Sequence, residues 1–512
     1  MAKETLKNLF IVFLISITPF LNFISKNIGQ LYFFDFLYLF IYFLIFVLLI
    51  YSLNLFAFKF SKKFDGIFLI GYVVIVFFSY NFIFNLIDKT NLDVFVNQRI
   101  MALFLWFALL LLTFIFVKNI LHKKIFRKFS LFVFIFLNVS FLISILIGSP
   151  TIERQTLRSN QYNMQNLNIQ FQNNLEIKPN VYYLLLDHYP RFDILKEFFG
   201  YDNSDFLKEI KKKGYKVAEK SISNAMGTDT NMTVVFDMNT EYIKKYLEEK
   251  KTFYIGDWLR GRTTVNNIFK KIGYKNFVSI DNTIQGAPCN KLNPKNTGFD
   301  KCISQNIQLT ELEINFLKAT PIIDLIGKFF PTFFAYQYLY LDTITSQLNK
   351  LITNNYSLDF SDNEYKKESF FLYIHLLMPH PPPKFDKNCQ KKIDIFELNV
   401  THKFESEIAK KSFIEDLKCI NKDVLKFIKE INSLDSNSIV VIQSDNSIPT
   451  LEFPLSHYNI NFWKLPPQCE HMFKNDISNV NTFRIIFNCL GAGNWDLKEN
   501  ELIAIPPELL PN

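Results

Sequence analysis

The chain has 512 residues, a formal net charge of +8 and 17% aromatic residues, among them 58 Phe. This length exceeds that of one compact domain. Apolar residues concentrate in residues 1–150, which excludes a wholly soluble protein. The Lys and Arg excess lies largely in the loops between the apolar runs, so the net charge does not indicate nucleic-acid binding.

Five apolar runs predict membrane-spanning helices, because each provides the about 20 apolar residues that a bilayer crossing needs. The runs cover residues 6–25, 31–57, 66–87, 99–117 and 129–148. No small-residue cleavage site follows the first run, so we expect an anchor and not a removed signal peptide. No ionisable residue lies well inside a run, which disfavours a transporter.

Basic residues predict the orientation of these helices. Lys and Arg cluster before the first run, between the second and third, and between the fourth and fifth. All three segments lie on the cytoplasmic side only if the N-terminus is inside. We therefore predict a transmembrane region at 1–150, an Asn- and Gln-rich linker at 151–179, and an extracytoplasmic domain at 180–512. The chain would be an integral protein of a bacterial inner or plasma membrane.

The cysteines agree with an oxidising compartment. All six follow residue 288, and an even number in such a domain suggests disulfides. Pairing of sequence neighbours would give Cys289–Cys302, Cys389–Cys419 and Cys469–Cys489. Other pairings and free buried thiols remain alternatives. A zinc site made of cysteines is disfavoured because no C-x-x-C pair occurs.

Buried strands that alternate with helices predict the architecture of the second half. Short apolar runs cover 181–186, 370–376 and 438–443, and helical patterns cover about 192–213 and 404–432. This order favours an α/β domain with a mostly parallel central sheet covered by helices. Ligands in such sheets bind at the carboxyl ends of the strands, where Asp187, His380 and Asp445 lie.

The residues at these strand ends suggest metal-assisted chemistry. Asp187 and Asp445 could hold a divalent cation, and the hydroxyl of Thr228 could then attack phosphorus or sulfur. His375 and His380 could bind substrate oxygens or protonate a leaving group. Each of these residues also has a structural interpretation. The two carboxylates could cap helices, Thr228 could be a helix cap, His375 could be a core residue and His380 a turn residue. If Thr228 is only a cap, Thr230 is the other candidate for the attacking hydroxyl.

At these residues the chain resembles the membrane-anchored, sulfatase-like branch of the alkaline phosphatase superfamily, near the lipoteichoic acid synthases and phosphoethanolamine transferases. The matching stretches are 179–187, 199–206, 223–228, 375–382, 443–445, 461–466 and 480–484. The resemblance implies that Asp187, Thr228 and Asp445 are metal ligands, that Thr228 is the nucleophile and that His380 contacts the substrate anion. The Cys/Ser-x-Pro-x-Arg motif of formylglycine sulfatases is absent, which disfavours that mechanism.

Two departures from the family pattern concern the metal site. The family has Asp-His-Gly where this chain has Asp445-Asn446-Ser447, and Asp-Gly where this chain has Asp187-His188. The missing histidine is a metal ligand in the family, and an Asn446 oxygen is a weaker substitute. His188 would supply a compensating nitrogen, or else be a bulky substitution in a decayed site.

Two functions therefore remain open. The first is a metal-dependent phosphoryl- or sulfuryl-transferase or hydrolase that acts beside membrane lipid on an envelope glycan or a lipid-linked anionic substrate, with Mn, Zn, Ca or Mg as cofactor. The second is a catalytically degenerate relative that binds a glycan or an assembly partner. Asn446 and Ser447 favour the second, and a retained cation site would favour the first.

Overall fold

The computed structural model divides into two compact units. It describes residues 2–28, 33–58, 66–88, 98–120, 123–161, 178–249, 257–281, 297–303, 311–322, 324–325, 339–353, 356–359, 364–381, 383–391, 407–448 and 450–505. The first unit comprises Met1–Arg158 and Leu309–Phe330, and the second comprises Ser159–Gln308 and Pro331–Asn512.

The first unit is helical. Its helices are α1 (Ala2–Asn27), α2 (Phe33–Phe58), α3 (Gly66–Phe77), α4 (Tyr80–Asp88), α5 (Gln98–Asn119) and α6 (Lys124–Gln161). Within the described residues, three segments are long and apolar enough to cross a membrane: Phe10–Asn27, Ile100–Val117 and Ile125–Ile147. A fourth arises if α3 and α4, bent by 42°, form one span, and α2 contains a shorter apolar stretch, Leu37–Leu49. The transmembrane helical region is thus confirmed, and the count of five stays a prediction.

The second unit is an α/β domain. After α6 its helices are α7 (Phe192–Phe199), α8 (Ser204–Lys212), α9 (Thr228–Asp237), α10 (Glu241–Glu249) and α11 (Thr264–Lys271). Helix α12 (Glu311–Lys318) belongs to the first unit. The later helices of the domain are α13 (Leu341–Thr353), α14 (Glu407–Leu434) and α15 (Thr482–Cys489). The end of α6 overlaps the start of the predicted linker, and residues 162–177 lie outside the described residues.

The sheet of this domain has seven described strands in the order β2-β9-β8-β1-β7-β3-β4. The strands are β1 (Val181–Leu186), β2 (Lys216–Val217), β3 (Lys275–Ile280), β4 (Lys301–Cys302), β7 (Phe370–Leu376), β8 (Ile439–Ser444) and β9 (Asn461–Lys464), while β5 (Tyr356–Asp359) and β6 (Glu364–Lys367) form a separate hairpin. Strands β8, β1, β7, β3 and β4 are parallel, and β9 is antiparallel to β8 and β2. The predicted mostly parallel sheet is confirmed.

Helices cover both faces of the sheet. On one face Tyr182 and Leu184 of β1 pack in a core with α14, and on the other Tyr183 and Leu185 share a core with α9. Every residue of β1, β7 and β8 is buried, which explains why these strands are continuous apolar runs instead of alternating ones.

Two of the predicted disulfides are confirmed: Cys389–Cys419 and Cys469–Cys489. Cys302 is also disulfide-bonded, and its predicted partner, Cys289, lies outside the described residues. The Cys389–Cys419 bond closes a loop of 30 residues and the Cys469–Cys489 bond a loop of 20. A loop of this size restricts the unfolded chain by about 3 kcal/mol.

Two neighbouring carboxylates give this domain a pH-dependent stability. Partial burial, together with the charge of nearby Asp257, raises the pKa of Asp237 to about 6, although Thr264 donates to its carboxylate. A raised pKa means that the protonated form stabilises the fold below about pH 4, and that this contribution is lost as the pH rises through 6.

We therefore expect Asp237→Asn to raise the free energy of unfolding by about 1–2 kcal/mol at pH 7.5 and to leave it unchanged at pH 4. Two pKa units correspond to nearly 3 kcal/mol, which solvent screening of the partly exposed carboxylate reduces. Urea unfolding at both pH values measures the difference. Asp205→Asn, at an exposed carboxylate, is the control. An equal effect of Asp237→Asn at the two pH values would contradict the assignment.

Candidate functional site

The strand register brings the two predicted carboxylates together. Leu186, the last residue of β1, pairs with Ser444, the last residue of β8. The next residues, Asp187 and Asp445, therefore leave neighbouring strands at the same sheet edge, and both are buried. Parallel pairing is the reason, because it aligns the carboxyl ends of strands that are distant in sequence.

Thr228 joins these carboxylates from the face that α9 covers. Gly227 has a φ of 81°, which glycine adopts without steric cost, and the chain then enters α9 at Thr228. The Thr228 hydroxyl donates to Asp445 Oδ2 at 2.6 Å and lies 3.3 Å from Asp187 Oδ1. Thr230, the alternative hydroxyl, instead donates to the carbonyl of Gly227 at 2.9 Å.

His188 lies between the carboxylates and the Pro-flanked turn. Its backbone N–H donates to Asp445 Oδ1 at 3.0 Å, and its Nε2 lies 3.7 Å from Asp187 Oδ1. Its ring stacks on that of His380 with 4.2 Å between the ring centroids. The φ of His188 is 59°, in the left-handed region that favours glycine, so the histidine occupies a position where the family's glycine would be unstrained.

His375 lies deeper, within β7. It is fully buried, and its Nε2 lies 3.8 Å from Asp187 Oδ2, beyond hydrogen-bond distance. The ring of Trp258 packs 5.6 Å from the His375 ring. His375 therefore lies next to Asp187 inside the sheet, whereas His380 stacks on His188.

Asn446 turns its amide nitrogen towards the site. Its Nδ2 donates to Asp445 Oδ2 at 2.8 Å, whereas its buried Oδ1 has no hydrogen-bond partner among the described residues. Ser447 is buried beside it, and its hydroxyl likewise has no partner in that part of the chain. The pair that replaces the family's His-Gly thus leaves two unsatisfied polar oxygens next to Asp445.

The pKa values of the two carboxyl groups are shifted in opposite directions. Burial opposes ionisation of Asp187, but the positive potential of His188, His380 and His375 outweighs it and holds the pKa of Asp187 below its usual value. Burial, followed by the negative charge of Asp187, raises the pKa of Asp445 well above its usual value. Two carboxylates this close cannot both ionise cheaply unless a cation or a proton lies between them.

The donor set fits a divalent cation. Asp187, His188 and Asp445 each offer one ligand atom, and these atoms lie within 4.8 Å of one another. The Thr228 oxygen adds a fourth donor at hydrogen-bond distance from both carboxylates. Two carboxylates, an imidazole and a hydroxyl form a donor set of the kind that zinc and manganese accept.

Two buried asparagines that sequence analysis did not select, Asn231 and Asn479, bond to the backbone of this site. Asn231, one turn after Thr228, accepts the N–H groups of Asn224 and Ala225 and donates to the carbonyl of Asp445 at 2.5 Å. Asn479 donates to the carbonyls of Ser444 and Asp445. The only feature of the sequence that pointed to these residues was its general richness in Asn. A side chain that bonds to backbone distant in sequence produces no local sequence pattern from which its role could be predicted.

We expect Asn231→Ala to lower the free energy of unfolding by about 2–3 kcal/mol, because two N–H groups and a carbonyl lose their buried partner. Urea unfolding tests this, with Asn267→Ala on α11, at a partly exposed position, as the control. A cost below that of the control would contradict a bridging role for Asn231.

Lys384 is a second residue that the sequence did not indicate. It is 2% exposed, its Nζ donates to the carbonyl of His380, and its backbone N–H donates to Asp416. Burial lowers the pKa of Lys384 to about 8, although the nearby charges of Asp416, Asp187 and Asp281 act in the opposite direction. The Pro-rich stretch 379–383 that precedes Lys384 has no apolar periodicity from which burial of this side chain could be predicted.

Three further histidines are His402, His457 and His471. His457 Nδ1 lies 3.0 Å from the carbonyl of Ser223, and its own carbonyl accepts the Ser223 N–H at 2.8 Å. His471 is exposed, and His402 lies outside the described residues. Phe462 packs in one core of the domain and Trp463 in the other.

The fold and the site together define a membrane-anchored α/β protein with a buried carboxylate–histidine–hydroxyl cluster at the carboxyl ends of its strands. The sulfatase family model matches residues 218–472. This match lies within the C-terminal domain and agrees with the sulfatase-like resemblance of its motifs. No curated protein sequence matches this chain.

Several solved structures resemble this chain. The C-terminal periplasmic domain of EptC from Escherichia coli, in complex with Zn, is 13% identical over 67% of this chain and 96% of its own, with a TM-score of 0.42. The phosphoethanolamine transferase EptA from Neisseria meningitidis is 11% identical over 78% of this chain and 70% of its own, with a TM-score of 0.40. The lipoteichoic acid synthase LtaP from Listeria monocytogenes is 14% identical over 64% of this chain and 77% of its own, with a TM-score of 0.36. At these TM-scores the structural similarities do not support a functional assignment.

Proposed function

We propose that this protein is an extracytoplasmic, metal-dependent phosphoryl- or sulfuryl-transferase or hydrolase that acts on an envelope glycan or a lipid head group. The observation that carries the proposal is the Thr228 hydroxyl, held between two buried carboxylates at the sheet edge. A hydroxyl in this environment suits nucleophilic attack on phosphorus or sulfur. The sulfatase family match and the transmembrane helices support the same function.

Asp187, Asp445, Thr228 and His188 would hold the cation. When bound, a divalent cation supplies electrostatic stabilisation of the developing negative charge and lowers the pKa of a coordinated hydroxyl. The imidazole of His188 favours zinc over calcium or magnesium. Asn446, also predicted as a ligand, would contribute an oxygen only after its amide turns away from the present Nδ2 bond to Asp445.

The proton of Thr228 has a defined acceptor. Thr228 Oγ1 must lose its proton as it attacks, and the Asp445 carboxylate, with Oδ2 2.6 Å away, would accept that proton in its ionised form. A bond forms from Thr228 oxygen to phosphorus or sulfur while the bond to the leaving oxygen breaks. Water or an acceptor hydroxyl then displaces Thr228, which regains a proton.

His380 would supply the anion-binding side of the site. Its ring stacks on that of His188, so a protonated His380 imidazole can contact a substrate oxygen and donate a proton to the leaving group. Lys384 holds the carbonyl of His380 and so fixes the turn. His375 stays a predicted substrate contact, although its full burial favours orientation of Asp187.

One observation favours the alternative, a catalytically degenerate binding protein. Asn446 replaces the family's histidine and forms a hydrogen bond to the carboxylate that should face the cation. If this hydrogen bond persists with metal present, the cluster would keep its arrangement but would not catalyse a reaction. The protein would then bind an anionic glycan or an assembly partner through its histidines.

The location of the substrate follows from the anchor. We infer that the N-terminus is cytoplasmic and the domain extracytoplasmic, which puts the site in the compartment of lipid-linked envelope precursors. An alkaline phosphatase reporter fused after residue 512 should be active, since that reporter needs an oxidising compartment. An inactive reporter with normal expression would reverse the orientation.

The deciding experiment uses the full chain in detergent. Bound Mn, Zn, Ca and Mg are measured by elemental analysis, and turnover is measured with a chromogenic phosphodiester and a chromogenic sulfate ester. Near-stoichiometric metal with turnover of either ester supports the enzyme. Metal without turnover on these esters or on lipid extracts favours the binding protein, and no metal after incubation with excess Zn or Mn overturns the metal-dependent mechanism.

A further inference from the structure

One segment of the C-terminal half packs with the membrane helices. Leu309–Phe330 lies in sequence between β4 and α13 of the second unit, yet it clusters with the first unit. The chain therefore passes from the second unit into the first and returns. Its described parts are residues 311–322 and 324–325, which include α12.

The apolar side of α12 is inserted among aromatic side chains. Leu312 and Phe316 are 2% and 5% exposed and share a core cluster with residues of α1, α2 and α3. The Phe316 ring makes an edge contact with Phe23 and a tilted contact with Phe78, both with 5.2 Å between the ring centroids. Contacts of this kind are specific in geometry, unlike a helix that merely lies on lipid.

A polar contact lies at the same place. Tyr80, the first residue of α4, donates its hydroxyl to Asp324 Oδ2, and both side chains are buried. A buried carboxylate is costly without a hydrogen-bond partner, so this contact selects one docked position. Tyr80 directly follows the break between α3 and α4, which are bent by 42°.

We propose that the segment around α12, described at residues 311–322 and 324–325, is a second membrane anchor of the C-terminal domain, which holds that domain to the transmembrane helices independently of residues 162–177. The residues that it meets on α1, Phe20 and Phe23, lie near the C-terminal end of that helix. That end is the extracytoplasmic one in the orientation inferred above. The anchor itself does not depend on the proposed chemistry.

The test cuts the other connection. A protease site is inserted after residue 165, the full chain is purified in detergent through an N-terminal tag, and the C-terminal fragment that stays bound after cleavage is measured. All six cysteines lie in that fragment, so no disulfide joins it to the N-terminal part. We expect the wild-type fragment to stay bound.

Leu312→Ser with Phe316→Ser should lower the retained fraction about tenfold or more, because both side chains leave a packed apolar core. Leu325→Ser, at a side chain 40% exposed in the same segment, is the matched control and should retain the fragment. Phe23→Ser changes the other partner of the contact and leaves the fragment's sequence intact, which separates loss of docking from misfolding. Release of the wild-type fragment, or full retention in the double variant and in Phe23→Ser, would overturn the proposal.

Discussion

Thr228→Ala is expected to lower turnover of phosphodiester or sulfate ester by at least about 10³-fold, because loss of the nucleophile removes the covalent step. The variant should keep its fold, since Thr228 lies at the start of α9 and contributes no side chain to the two cores. Single-turnover assays with a radiolabelled substrate measure both the rate and the labelled threonine.

Thr230→Ala is the matched control. Its hydroxyl donates to backbone carbonyls of its own helix start and not to either carboxylate, so we expect less than about a tenfold change. Thr228→Ser keeps a hydroxyl at the same place and should retain measurable turnover. Normal turnover in Thr228→Ala, with label on another residue, would remove Thr228 from its assigned role.

Asp445→Asn is expected to weaken binding of zinc or manganese by at least about 100-fold, more than the 10–100-fold effect of outer ligand partners. The change removes a negative charge at nearly constant volume, so the asparagine cluster around the Asp445 carbonyl should persist. Elemental analysis after dialysis, and titration by calorimetry, give the metal stoichiometry and affinity.

A pH series sharpens this test. Because the pKa of Asp445 is raised in the metal-free protein, protons compete with the cation and apparent affinity should fall as the pH is lowered through that pKa. Asp435→Asn is the control: that carboxylate accepts from Asn180 and Tyr182 at the opposite ends of the same strands. Unchanged metal content in Asp445→Asn, or equal loss in Asp435→Asn, would contradict the assigned site.

Local patterns in the sequence were sufficient for several features. The sequences of β1, β7 and β8 are continuous apolar runs. This composition is expected for strands that are buried on both faces of a sheet. Two disulfides join sequence neighbours, Cys389 with Cys419 and Cys469 with Cys489, where loop closure is short. These features depend on composition and on contacts that are near in sequence.

Long-range features needed the tertiary structure. Asn231 became a bridge only because β8 ends beside the start of α9, and its contact with Asp445 spans 214 residues. The packing of α12 on the membrane helices joins residues almost 300 positions apart, and no periodicity in either segment encodes such a partner.

The sequence by itself determined that this protein has an apolar helical region, an α/β domain that resembles the sulfatases and a set of candidate ligands at strand ends. Only the tertiary structure decided that Asp187, His188, Thr228 and Asp445 meet, since strand register places them within a few ångströms of one another. The reason is physical: burial and periodicity are properties of a segment, whereas a site depends on the alignment of segments that the chain brings together only when it folds.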